Sequence, residues 1–224
     1  MKNLIAKISL RQAARIVSIA FIISFILAVF VGNFILQNFI NPGETEALAD
    51  DIKDNEQLLN IAVVVYLIIL ALDAAIALGL FILLKPTNSI LAFLSGNFRL
   101  LYVAIMVISV LALALQFIDV KSYGTIKLVG YLFFTCHIFV TGYTVFRSGY
   151  IPRILGILLI MAFFSYVLAF YLSFFVPEAL LLVFMLFMII GELSLSIWLL
   201  LKANKLPENL EIPTRSAKAD INKD

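Results

Sequence analysis

The chain has almost none of the residues by which a chemical site is usually recognised. It carries one cysteine, one histidine and one tryptophan in 224 residues. A lone cysteine excludes an internal disulfide. A lone histidine excludes H-E-x-x-H and its relatives. A zinc site would need three or four ligands. It would have to add Asp73 and Glu192 to Cys136 and His137, two neighbours that point about 100° apart on a helix. No metal and no cofactor is expected. Charge is scarce too, at 13% of residues, where a soluble domain has about 25%. The net charge of +2 is too small to suggest nucleic acid as a partner. There is no glycine-rich nucleotide loop and no long soluble segment.

What is abundant is apolar sequence, 63% of the chain, against roughly 45–50% in soluble proteins. It is gathered into runs of about 20 residues, the length that crosses a hydrocarbon layer of about 30 Å as a helix. Barrel strands would instead alternate apolar and polar residues over about 10 positions. The expected fold is therefore all-α: a polytopic integral membrane protein with six transmembrane helices in one bundle. The spans are read at about 16–40, 61–84, 89–117, 128–147, 152–176 and 179–201. Residues 1–15 form a basic N-terminal segment, 16–203 the membrane domain, and 204–224 a polar tail expected to be disordered. The first run is too long for the apolar part of a signal peptide.

Loop charge predicts orientation. Lys2, Lys7, Arg11 and Arg15 precede the first span, Lys85 follows the second, Arg147 and Arg153 flank the turn after the fourth, and five basic residues follow the sixth. The opposite side carries Lys53, Lys121 and Lys127. The bias places both termini in the cytoplasm, with localisation in a bacterial cytoplasmic (inner) membrane. The acidic loop 41–60 then faces outward and reads as a solvated face, since it lacks calcium-loop spacing.

Two constellations stand out. The first is the turn between the fourth and fifth spans. Ser148 and Gly149 end one helix, with glycine suited to a left-handed C′ position. Pro152 opens the next helix, and Gly156 allows close helix approach. Arg147 and Arg153 flank the turn and can reach phosphate headgroups of membrane lipids. The second is a layer of ionisable groups. Counting inward at 1.5 Å per residue, Asp73 lies about 18 Å from Lys85, while Arg99, His137 and Glu192 lie about 15 Å from Ser89, Arg147 and Lys202. Isolated charges at such depth cost at least about 2.5–3.5 kcal/mol each. Common depth with opposite signs predicts pairing, with Arg99 as hub to Asp73, Glu192 or both, and His137 in reach directly or through water.

The stretch R-S-G-Y-I-P-R-I-L-G, with a histidine ten residues before its first arginine, resembles the bacterial membrane-protein family catalogued as domain of unknown function 4386. Further agreement comes from L-L-K-P-T-N-S-I-L-A-F-L-S-G-N-F-R (Leu83 to Arg99), from Leu59-Asn60-Ile61, and from G-E-L-S-L-S-I-W-L-L-L-K (Gly191 to Lys202). The resemblance runs from about Arg15 to Lys202. It makes Asp73, Arg99, His137, Arg147, Gly149, Pro152, Gly156, Glu192 and Trp198 signature positions. It implies fold and topology and brings no biochemical activity with it.

Function is thus read as a binding, regulatory or accessory membrane protein with a buried polar layer. A small proton-linked transporter and a membrane-embedded lipid-modifying enzyme are the alternatives. No catalytic residue is assigned: a Ser-His-Asp or Cys-His arrangement would use His137 with Ser194, Ser196 or Thr141, and no strained nucleophile elbow is visible. Expected partners are membrane lipids, with a homo-oligomer, a partner membrane protein or a small-molecule ligand left open. A ligand-sized cavity reaching the polar layer would favour the binding, transport and enzyme readings. A dry, packed bundle would favour the accessory one.

Overall fold

A computed structural model describes residues 8–31, 56–172 and 177–206. Six helices account for nearly all of them: α1 (Leu10–Phe30), α2 (Glu56–Leu84), α3 (Ser89–Ala114), α4 (Val120–Phe146), α5 (Arg153–Tyr171) and α6 (Glu178–Lys202), followed by a 3-10 turn, Ala203–Lys205. There is no strand among the described residues. All six helices are long and apolar enough to cross a membrane. Even the shortest, with 19 residues, extends about 28 Å at 1.5 Å per residue.

The outward surface confirms the solvent. Ile19, Phe93, Ile108 and Leu201 are 50%, 62%, 69% and 71% exposed, and comparable side chains line every helix. An apolar surface of this extent is untenable in water and ordinary against lipid tails. The protein is a multi-pass membrane protein.

The helix packing follows chain order, each helix against the next, and α6 closes on α1. The result is a ring of six. Closest approach is set by residues without side chains. A Cβ on Gly156 would stand 2.6 Å from Phe146 N and 2.7 Å from Gly142 O, so α4 and α5 meet backbone to backbone there.

Helix ends follow capping chemistry more closely than hydropathy, and several boundaries move accordingly. α1 begins at Leu10 and takes Arg11 and Arg15 into the helix, because Ser9 and Gln12 form a capping box. α2 already starts at Glu56. α4 begins at Val120, eight residues before its apolar run at 128, because Asp119 caps it by accepting from Ser122 N at 2.7 Å. α3 stops at Ala114: Gln116 takes a left-handed φ of 59°, and the N–H groups of Gln116 and Phe117 return to Leu113 O and Ala112 O. This is a Schellman closure with glutamine in place of glycine. α5 is helical to Tyr171. The ends read at 40 and 176, the acidic loop 41–55 and the tail 207–224 lie outside the described residues. Of the tail, residues 204–206 pack on α1: Leu206 is buried and its carbonyl accepts from Arg11 Nε at 2.8 Å, while Arg15 Nη2 donates to Asn204 Oδ1 at 2.5 Å.

In the α4–α5 turn Arg147 is the C-cap, so Gly149, at φ 72°, lies two residues beyond it. Ser148 Oγ donates to Val145 O at 2.8 Å and accepts from Ile151 N at 3.2 Å, and Pro152 is the N-cap of α5. Tyr150 reaches across to the α2–α3 turn, donating to Leu83 O at 2.5 Å and accepting from Thr87 Oγ1 at 3.1 Å.

Candidate functional site

Asp73 on α2, Arg99 on α3, His137 on α4 and Glu192 on α6 come together inside the ring. Asp73, Arg99 and His137 are buried, at 6%, 3% and 1% exposure. Arg99 Nη2 donates to Asp73 Oδ1 in an ion pair. Its Nη1 lies 3.1 Å from His137 Nε2, and its guanidinium sits over Phe134, 5.2 Å from the ring centroid.

The tautomer of His137 follows from these contacts. Arginine can only donate, so Nε2 supplies the lone pair and Nδ1 carries the proton. Nδ1–H then donates to the backbone carbonyl Ser95 O at 2.9 Å. The ring is neutral and both nitrogens are engaged. The nearby hydroxyls of Ser95 and Thr141 bond each other at 2.7 Å. His137 therefore has no lone pair with which to activate Ser95 Oγ, 3.0 Å away, or Thr141. Ser194 and Ser196 turn back onto Gly191 O and Glu192 O of their own helix. These contacts give no nucleophile–base pair.

Glu192 departs from the expected hub. Its partner is Tyr166 on α5, whose hydroxyl donates to Oε1 at 2.5 Å. Arg99 and Glu192 nevertheless line the same two cavities. The larger is about 450 Å³, within the range of small-molecule sites, and every helix contributes to its wall. From Arg99 and Glu192 it runs past Tyr102, Tyr131 and Tyr166 towards Phe25, Phe170 and Leu181, near the end of the bundle that carries the α1–α2, α3–α4 and α5–α6 connections. The smaller, about 20 Å³, lies beyond the polar layer between Arg99, His137, Thr141, Glu192 and Ser196. That is about the room one water needs.

Two buried side-chain atoms have no hydrogen-bond partner among the described residues: Arg99 Nε and Ser24 Oγ. Both residues line the large cavity. Such atoms are rare in folded proteins, and each costs about 1–3 kcal/mol if nothing meets it. No group of three or more potential metal ligands occurs among the described residues.

Arg147 and Arg153 lie at the other end, away from the cavity. Arg147 donates to Tyr143 OH at 2.9 Å and covers its ring, and Arg153 covers Phe146, 5.9 Å from the centroid.

A sequence profile described as "Domain of unknown function (DUF4386)" matches residues 16–117 and 112–203. The chain belongs to the DUF4386 family. All four residues of the polar layer fall within the matched segments of this DUF4386 protein. An uncharacterized protein of Archaeoglobus fulgidus is 30% identical over 161 residues, 70% of this chain and 95% of that one. No solved structure matches.

Sequence reasoning missed Ser24, Ser95, Tyr102, Tyr131 and Tyr166 in this DUF4386 site. Ser95 precedes Arg99 by four residues and Thr141 follows His137 by four. Spacing of four puts each pair on one helix face, a signal that was legible. Ser24 had none.

Proposed function

We propose that the protein binds a small amphiphilic molecule within the membrane. The observation that carries this is the 450 Å³ cavity itself, which has Asp73, Arg99 and Glu192 in its wall together with many apolar side chains. A bundle whose polar residues served only to lock its helices would leave no such space beside them. The apolar length of the cavity suits a hydrocarbon chain, and the polar layer suits a head. The lysine and arginine bias supports an orientation in a bacterial inner membrane with both termini and the α4–α5 turn in the cytoplasm. Arg147 and Arg153 would then meet headgroup phosphates at that face, and the cavity would lead to the outer half of the membrane.

The test is native mass spectrometry of the protein released from its own membrane. Wild type should carry one small amphiphile per chain. Ala169→Phe, which places a ring in the cavity wall, should fold and lose it. Wild type released without any adduct would end this reading.

A proton-linked transporter is the second reading, favoured by the small cavity on the far side of Arg99 and Glu192. Flux of the same molecule across reconstituted vesicles separates transport from binding.

A further inference from the structure

We infer that the head of the bound molecule is a protonated amine, which makes the ligand a lipophilic ammonium ion; the inference rests on the cavity reading above. The charges in the wall are the first argument. Apart from tyrosines, its ionisable side chains are Asp73, Arg99 and Glu192. Arg99 and Asp73 form an ion pair, are 3% and 6% exposed, and cancel each other. Glu192 is different. It is half-buried and has no salt-bridge partner among the described residues. Tyr166 donates to its Oε1, and its Oε2 has no hydrogen bond among the described residues. One carboxyl without a counter-charge is thus what the wall offers a ligand, at a depth where an unpaired charge is costly.

The rings in the wall are the second argument. Tyr102, Tyr131, Phe170, Tyr166 and Phe134 touch in that order and close on Tyr102, with successive centroids 5.9, 4.7, 5.8, 5.5 and 4.9 Å apart. All five line the cavity, and Tyr166 is the partner of Glu192. The face of an aromatic ring is negative, and a cation within about 6 Å of the centroid is held there. Two of these rings already serve cations of the protein itself: Phe134 carries Arg99 at 5.2 Å and Tyr131 carries Lys127 at 5.5 Å. Tyr102, Tyr166 and Phe170 carry none among the described residues.

An ammonium ion answers both features. It donates an N–H to Glu192 Oε2 and supplies the missing positive charge, while the rest of its surface lies on ring faces. The hydroxyls of Tyr102 and Tyr131 have no hydrogen bond among the described residues, so each has lone pairs for a further N–H. The Arg99 guanidinium opposes a cation weakly, because Asp73 neutralises it and little of it is exposed. An anionic head would stand beside Glu192 with the one base of the wall already matched. A neutral head would leave Glu192 without a counter-charge. The attached chain runs along Phe25, Leu181 and Met185.

The experiment compares decylamine, decanol, decanoic acid and decane on the purified full-length protein in a non-ionic detergent, by thermal shift and native mass spectrometry. It is done at neutral pH, where an alkylamine is protonated. Decylamine should bind at least about tenfold tighter than each of the others, the scale of one hydrogen bond to a charged group. Glu192→Gln keeps an acceptor for Tyr166 and removes the charge, and it should bring decylamine to within about threefold of decanol. Phe170→Leu, which exchanges one ring for an aliphatic side chain, should lower the preference about threefold. Any of the other three binding wild type as tightly as decylamine would overturn the amine assignment and leave the cavity reading standing, whether or not the variants fold. An undiminished preference in Glu192→Gln would overturn it as well. Binding of none of the four would overturn both.

Discussion

At the end of the bundle formed by the α2–α3 and α4–α5 turns, polar groups are spent on fastening one element to another. Tyr150 joins the two turns through Leu83 O and Thr87, and Arg11 and Arg15 hold the chain after α6 against α1. The helices touch through Gly142 and Gly156. In the other half, phenylalanine, tyrosine and methionine line a cavity inside the ring. One half is closed because its contact residues are small and its polar atoms find backbone. The other is hollow, with a cavity of about 450 Å³ lined by residues of all six helices. Arg99 stands on the boundary. The contrast argues that packing density was not relaxed uniformly: the space begins at the polar layer.

The largest expected effect comes from breaking that boundary. Arg99→Leu strands Asp73 in the core and should lower stability by about 3–5 kcal/mol, by the measure of other broken buried pairs. Arg99→Leu with Asp73→Leu should recover part of the loss. Thermal unfolding of both variants in one detergent decides it, and a double variant no better than the single would mean the pair is not the cause.

A smaller effect sets the two halves against each other directly. Gly156→Ala forces a methyl to within 3 Å of backbone on α4 and should cost about 1–3 kcal/mol. Ala169→Phe adds far more volume, yet into the cavity, and should leave stability unchanged or raise it by up to about 1 kcal/mol. The reverse ranking in a thermal unfolding series would dissolve the distinction between a tight half and a hollow one.

The smallest effect lies at the α4 N-terminus. Hydrogen bonding from Ser122, through its side chain and then its N–H, holds the Asp119 carboxylate below its usual range. A depressed carboxyl stabilises fully above its unfolded pKa of about 3.9, and this is lost as pH falls through the folded value. Asp119→Asn keeps a cap and should flatten only the acid limb of the stability profile below about pH 4.

Hydropathy made the six spans legible, because lipid demands long apolar helices and little else produces them. Counting residues from the charged ends also made the common depth of Asp73, Arg99, His137 and Glu192 legible. The partner of Glu192 was not, since Tyr166 reads as one more apolar residue in α5 although its hydroxyl is polar. Helix starts at Leu10 and Val120 were misplaced because Ser9 and Asp119 act through single hydrogen bonds that no hydropathy window registers. The cavity left no trace in composition at all: it depends on which faces of six helices meet.

The pairing of Asp73 with Arg99 has a consequence for how the chain enters the membrane during synthesis. The two residues belong to consecutive helices joined by the short Lys85–Asn88 connection. A helix carrying one unpaired charge at mid-depth inserts at a cost of about 2.5–3.5 kcal/mol. Released as a hairpin, α2 and α3 bring acid and base in together, each neutralising the other before any later helix exists. Glu192 belongs to the last helix and finds Tyr166 on the helix made just before it. Asp73 and Glu192 each thus meet a partner in the span next to their own. The contact of α6, and of the turn that follows it, with α1 must wait for the whole chain, so the interior becomes a compartment at the final step of assembly and not before.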